Sequence, residues 1–144
     1  MPTAHRLPRA GRDPIDGAGR ALAMIHELAT WPYTDQTIAL LLDEHRCGLA
    51  AMIVDGTHRP EHVVDVAATL AEVGRREARL AALVLASVRA IPPGPRPAER
   101  TDVERWMELS DLLGHAGIEL VEWFVVEPLG TWCPRDLLGE PTRW

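Results

Sequence analysis

A continuous apolar run in the middle of the chain places the strongest constraint on its fold. Residues 80–88, LAALVLASV, contain a single polar side chain, that of Ser87. A strand with one solvated face alternates apolar and polar residues, whereas a strand buried on both faces is apolar throughout. The run therefore predicts a sheet strand that is covered on both of its faces.

The segments on either side of this run alternate between helical and strand patterns. Apolar residues at helical spacing predict helices, and short runs of β-compatible apolar residues predict strands. The predicted helices cover residues 15–30, 60–80 and 103–114, and the predicted strands cover residues 37–42, 48–54, 80–88 and 118–126. After the first helix this order is β-β-α-β-α-β, which predicts an α/β domain of two or three layers with a mixed sheet.

Two short polar segments predict how these elements are joined. Asp43-Glu44-His45-Arg46 separates the first two strands and is typical of a hairpin turn. Gly117 follows the last predicted helix, where a glycine often adopts a left-handed conformation as a cap.

Length and composition fit one domain with two appendages. A chain of 144 residues can bury a single core but is too short for two ordinary domains. We expect a flexible arm over residues 1–14, the domain over residues 15–127, and a tail over residues 128–144. The tail contains Trp132 and Trp144, so it either straps across its own domain or binds a partner through these apolar anchors.

Charge and cysteine usage narrow the function classes. The net charge of −6 argues against nucleic-acid binding, because proteins that bind phosphate backbones normally carry a basic face. Without a signal sequence or a long apolar run, the chain is expected to be cytoplasmic and not to enter a membrane. Cys47 and Cys133 form no CxxC pair, so we expect free thiols.

Four segments between about residues 35 and 132 occur in an order and spacing that resemble the RadC-type JAB (MPN/JAMM) domain. The segments are an apolar strand ending in Leu-Leu-Asp at Asp43, then Gly56-Thr57 followed by Pro60–Val64, then the loop after Val88, and finally residues 112–123 with Gly117-Ile118. The resemblance implies a single JAB/MPN-like domain of cytidine-deaminase-like architecture, with a mixed sheet packed with helices.

The third segment has the frame of the family's zinc site without its histidines. In the family the pattern is His-x-His-Pro-Ser-Gly, then Ser-x-x-Asp; two histidines and the aspartate hold zinc, and an upstream glutamate takes a proton from the bound water. The positions that the resemblance assigns to this site are occupied here by Asp35 or Gln36, Arg89, Ile91, Glu99 and Asp102. Arginine carries no lone pair for a metal and isoleucine has no ligand atom, so the two histidine positions are lost.

The remaining ligand position, Asp102, also has a structural explanation. Thr101-x-x-Glu104 has the pattern of a capping box at a helix start. An acidic residue just after the cap interacts favourably with the helix dipole whether or not a metal is bound. We prefer this explanation to metal ligation.

Together these features predict a catalytically inactive domain that acts as a binding or regulatory module, with a protein partner or as a homo-oligomer. We expect no cofactor and no metal. Arg89 is expected to fill the vacated site and to pair with Asp102, and with Asp35 or Glu99 as further partners. The alternative is a divergent JAB-type metallohydrolase, a peptidase or isopeptidase, whose metal would be held by Asp35, Glu99, Asp102 and His115.

Overall fold

A computed structural model of the chain describes residues 7–57, 59–90 and 97–144, with residues 97–100 as backbone only. The described residues form one mixed α/β domain. Its helices are α1 (Ala18–Leu28), α2 (His62–Arg76), α3 (Pro97–His115) and α4 (Pro134–Leu138), and its strands are β1 (Gln36–Leu42), β2 (Gly48–Asp55), β3 (Ala82–Val88), β4 (Glu119–Glu127) and β5 (Gly130–Trp132). Within the described ranges, no helix combines the length and the apolar character needed to cross a bilayer.

The five strands form one mixed sheet in the order β2-β1-β3-β4-β5. Strand β1 is antiparallel to both β2 and β3, β3 and β4 are parallel, and β4 and β5 are antiparallel. The carboxyl ends of β3 and β4 therefore lie at the same end of the sheet as the beginning of β1. This topology brings residues that are far apart in the sequence to one end of the domain.

The sheet is covered on both faces, as the apolar run predicts. Every residue of β3 is buried. On one face Leu83 and Leu85 belong to a core cluster with residues of α2 and α3, including Trp106. On the other face Val84 belongs to a second cluster, with Ile25 of α1. Consecutive β3 side chains thus enter two different cores, because side chains of a strand alternate between its faces.

The predicted hairpin turn and helix cap are both confirmed. The carboxylate Oδ1 of Asp43 accepts hydrogen bonds from the backbone N–H groups of His45 at 2.8 Å and Cys47 at 3.0 Å. An aspartate side chain that binds the backbone two residues ahead stabilises a tight turn. Gly117 has a φ angle of 75°, in the left-handed region that glycine tolerates best.

Three helix boundaries differ from the prediction by three residues or more. Helix α1 begins at Ala18, since the N–H of Ile15 donates instead to the carbonyl of Arg46 at 2.8 Å in the hairpin. Helix α2 ends at Arg76. Leu80, the last residue of the predicted helical pattern, lies between α2 and β3 and packs into the same core as α2. Helix α3 begins at Pro97, and a proline is well accommodated in the first turn of a helix. Thr101 consequently lies inside α3, and its prediction as a capping residue was wrong.

The described part of the predicted arm lies along the beginning of β2. The N–H of Gly11 donates to the carbonyl of Gly48 at 3.0 Å, and Pro14 forms an isolated antiparallel bridge with Cys47. Residues 7–14 are therefore attached to the hairpin, whereas residues 1–6 lie outside the described part of the chain.

The tail straps across its own domain. It contributes β5 to the sheet, and its short helix α4 begins at Pro134. Trp132 packs against the α2/α3 core, and Trp144 packs against the α1 core. The indole N–H of Trp106 donates to a carboxylate oxygen of Glu140 at 3.1 Å, which ties the tail to α3. Of the two predicted roles of the tail the strap is present, and binding of a partner through it stays a prediction.

Candidate functional site

Arg89 and Asp102 form a two-pronged ion pair at the end of the sheet. Nη1 of Arg89 donates to Oδ2 of Asp102 and Nη2 donates to Oδ1, both at 2.9 Å. The Asp102 side chain is 1% exposed and the Arg89 side chain is 16% exposed. Parallel N–H···O bonds between a guanidinium and a carboxylate are the strongest geometry of this pair. The predicted pairing is confirmed.

The backbone of β3 and β4 positions the guanidinium. The N–H of Arg89 donates to the carbonyl of Val126 at 2.8 Å, which extends the contact between the parallel strands past the end of β3. The next N–H, that of Ala90, donates to the Oδ1 of Asp35 at 3.0 Å. The Asp35 carboxylate thus holds the backbone beside Arg89, although the sequence suggested a direct contact with its side chain.

Gln36, the other candidate for the position of the family's glutamate, has a different role. Its Nε2 donates to the hydroxyl of Thr30 at 3.0 Å and to the Oδ1 of Asp55 at 2.7 Å, and its Oε1 accepts from the Thr30 N–H at 3.0 Å. These contacts link the segment after α1 to the end of β2. Gln36 pairs with Val88 through the backbones of β1 and β3, whereas the side chain of Asp35 binds the segment just after β3.

Glu127 is a site residue that sequence reasoning missed. Its Oε1 lies 3.8 Å from Nη1 of Arg89, close enough to add a second negative charge beside the guanidinium. Glu127 is the last residue of β4, and Arg89 directly follows β3. An acidic residue at the end of a strand does not by itself indicate a site. Glu127 could be placed beside Arg89 only once β4 was known to run parallel to β3.

The chemistry of the site is that of a fixed cation among carboxylates. Arginine stays protonated in proteins and cannot ligate a metal ion. In the parts of the chain that the structure describes, no group of three or more His, Cys, Asp or Glu side chains is arranged to hold a metal. Ile91 and the side chain of Glu99, both predicted for this site, lie outside the described part of the chain.

His115 is not part of this cluster. It is the last residue of α3, thirteen residues after Asp102 on the same helix. At 1.5 Å of rise per residue the two positions are separated by about 20 Å. The Nδ1 of His115 lies 2.6 Å from the carbonyl of Asp111 at the helix end. The alternative metal site that would combine His115 with Asp102 is therefore not formed.

A second buried ion pair joins the strap to the sheet. The Nε of Arg135 donates to the Oε2 of Glu122 at 2.9 Å, and their side chains are 6% and 2% exposed. Arg135 also lies 2.8 Å from a carboxylate oxygen of Asp136. The loss of hydration raises the pKa of Glu122 above its ordinary value, because it outweighs the attraction of Arg135. Sequence reasoning missed this pair because Arg135 lies in a segment without a recognisable period.

Cys133 lies beside this pair and is half-buried. Burial raises its pKa to about 12, and the negative charges of Glu122 and Asp136 act in the same direction. The thiolate is the nucleophilic form of cysteine, so the raised pKa lowers the reactivity of Cys133 at neutral pH. The pKa of Cys47 is also raised, first by desolvation and then by the charge of Asp43.

Alkylation of Cys133 should therefore report opening of the strap. In a Cys47→Ser background we expect slow labelling in the native protein and a several-fold faster rate after Glu140→Ala, which removes the acceptor for Trp106. Leu137→Ala, at an exposed position of α4, should leave the rate unchanged. Native labelling as fast as labelling of the urea-unfolded chain would contradict the partial burial and the raised pKa of the thiol.

No protein-family model and no curated protein matches this sequence.

Proposed function

We propose that the chain is a catalytically inactive JAB/MPN-like domain of the RadC type that acts as a binding or regulatory module. The observation that carries the proposal is the ion pair between Arg89 and Asp102. The resemblance assigns Arg89 to the position of a metal-binding histidine and Asp102 to the position of the metal-binding aspartate. An arginine there supplies a permanent positive charge to the carboxylate that would otherwise need a metal.

The architecture supports the same proposal. The element order β-β-α-β-α-β is present, and the mixed sheet is packed with helices on both faces. Strands β3 and β4 are parallel, and α3 connects them. Arg89, directly after β3, binds Asp102 of α3 at one end of the sheet. These features agree with the cytidine-deaminase-like architecture that we propose as the finer description of the fold.

Electrostatics favour an inactive site. Two unit charges about 4 Å apart repel by about 4 kcal/mol at an effective dielectric constant of about 20, so a divalent ion beside Arg89 would meet roughly twice that repulsion. A catalytic zinc site normally has three protein ligands and an open position. Within the described residues, Asp102 is already held by both prongs of the guanidinium.

The decisive measurement is the metal content of the protein together with its hydrolytic activity. The purified protein should contain no stoichiometric zinc by elemental analysis, show no saturable zinc binding by calorimetry, and have no peptidase or isopeptidase activity. The reason is that the guanidinium of Arg89 is hydrogen-bonded to both oxygens of the Asp102 carboxylate, so a metal ion would have to displace it. Stoichiometric zinc that disappears together with hydrolysis in an Asp102→Ala variant would establish the metallohydrolase instead.

The proposed binding role needs a separate experiment. The 144-residue chain, used as bait in an extract of the native host, should enrich a specific protein partner relative to an unrelated bait of similar charge. If nothing is enriched and the protein does not associate with itself, a binding role has no support.

A further inference from the structure

Within the described ranges, the outer edge of β2 pairs with no strand over most of its length. Strand β2 is an edge strand of the sheet, and its one neighbouring strand among the described residues is β1. On the other side the arm reaches its beginning, where Gly11 binds Gly48 and Pro14 bridges Cys47. Among the residues that the structure describes, no strand pairs with this side of β2 beyond Gly48.

The hydrogen-bond pattern shows which backbone groups face outward. The N–H of Gly56 donates to the carbonyl of Asp35 at 2.9 Å, so Gly56 faces β1. In an antiparallel pair the residues that bond to a given neighbour alternate along the strand. Counting back from Gly56 through the regular register, the N–H and C=O groups of Ala51, Ile53 and Asp55 point away from β1.

The features of this edge that hinder pairing lie at its beginning, where the arm is bound and where the register with β1 shifts in a β-bulge between Leu41 and Leu42. Natural edge strands are protected by lysine, proline or inward-pointing charges. Residues 49–54, LAAMIV, contain none of these, and Ile53 is 42% exposed. An apolar cavity beside the edge lies between the arm, which contributes Pro8 to Ala10, and a wall that includes Met24, Leu40 and Ala51.

We propose that β2 pairs with β2 of a second copy of this chain, antiparallel and about a two-fold axis at Ile53, so that the two sheets become continuous. The inference does not depend on the proposed function. A two-fold interface requires a surface that complements itself. The outward groups meet this requirement, because Ile53 lies opposite the Ile53 of the other copy and Ala51 lies opposite its Asp55.

The charges fit the same register. Asp55 is the charged residue of β2, and this pairing places it opposite Ala51 rather than opposite the second Asp55. Arg9 lines the same cavity as Ala51, so this arginine lies on the side of the edge that the incoming Asp55 would approach. Arg9 binds Asp13 at 3.0 Å on an exposed surface, a weak contact that leaves it able to interact with a second carboxylate.

The test is the mass of the 144-residue chain, measured by sedimentation equilibrium at micromolar concentrations. The wild type should have twice the 15.9 kDa mass of one chain. Ile53→Lys places two positive charges opposite each other, and Ala51→Pro removes an N–H that faces away from β1, so each should halve the mass. The control Leu129→Lys adds the same charge at a 92% exposed site near the opposite sheet edge and should remain dimeric.

Amide hydrogen exchange provides a measurement that needs no variant. The amides of Ala51 and Ile53 should become more protected as protein concentration rises, since their N–H groups bond only in the dimer. A monomeric wild type would overturn the inference, as would a dimer whose mass is unchanged in both β2 variants or halved by Leu129→Lys. None of these outcomes affects the metal analysis, so the two proposals can fail separately.

Discussion

Replacing Asp102 with alanine is expected to lower the free energy of unfolding by about 3–5 kcal/mol, the usual result of removing one partner of a buried ion pair. The variant would leave the mostly buried guanidinium of Arg89 without the carboxylate that accepts two of its hydrogen bonds. Glu127, at 3.8 Å, remains as a weaker countercharge, which places the expected loss toward the lower end of this range. Urea unfolding followed by tryptophan fluorescence measures it.

A double-mutant cycle separates the pair from its surroundings. Asp102→Ala and Arg89→Ala should each be destabilising, and the double variant should lose much less than the sum of the two single losses. The variant that combines Arg89→Met with Asp102→Leu should have a free energy of unfolding closer to that of the wild type, because apolar side chains remove the cost of desolvating both charges. Glu127→Gln is the matched control and should cost about 1 kcal/mol or less. Strictly additive single effects would contradict a coupled pair.

Glu122→Ala is expected to cost about 3 kcal/mol, because Arg135 would remain buried without its main acceptor. Asp136 stays as a neighbouring countercharge, which limits the loss. Glu122→Gln should cost less, since its amide oxygen still accepts from Nε of Arg135. A loss of stability by Glu122→Ala that is no larger than that of Leu137→Ala, on the exposed side of α4, would rule out this anchor.

The raised pKa of Glu122 also predicts a pH dependence. The folded protein holds the proton of Glu122 more tightly than the unfolded chain, so the contribution of this residue to stability falls as pH rises through the interval between the ordinary pKa and the raised one. Paired urea titrations should therefore show Glu122→Gln gaining stability relative to the wild type as pH rises through that interval. A constant difference at every pH would contradict the raised pKa.

Local patterns in the sequence were sufficient for the elements from α1 to β4, and the family resemblance was sufficient for one side-chain contact. The double burial of β3 followed from an uninterrupted apolar run, and the hairpin followed from the polar residues 43–46 between two apolar runs. The contact between Arg89 and Asp102 was predicted because a resemblance placed an arginine and an acid at positions that share one site. The elements were predicted from residues that are close together in the sequence. The contact was predicted from the motif spacing of the family that the chain resembles.

The tertiary structure decided the remaining contacts. Strands β3 and β4 had to be parallel before Glu127 could be placed beside Arg89. The tail was too irregular to predict an element, yet it forms β5 and α4. It is held by contacts to distant positions, from Arg135 to Glu122 and from Glu140 to Trp106.

The physical reason for this division is the range of the interactions. Helical spacing and alternation reflect which face of an element is buried, and that information is carried by neighbouring residues. The partner of a buried charge is chosen by which elements pack together, and a local pattern does not contain that choice. By itself, the sequence therefore determined the helices and strands from α1 to β4, while packing decided that the tail is a strap and which carboxylates surround Arg89.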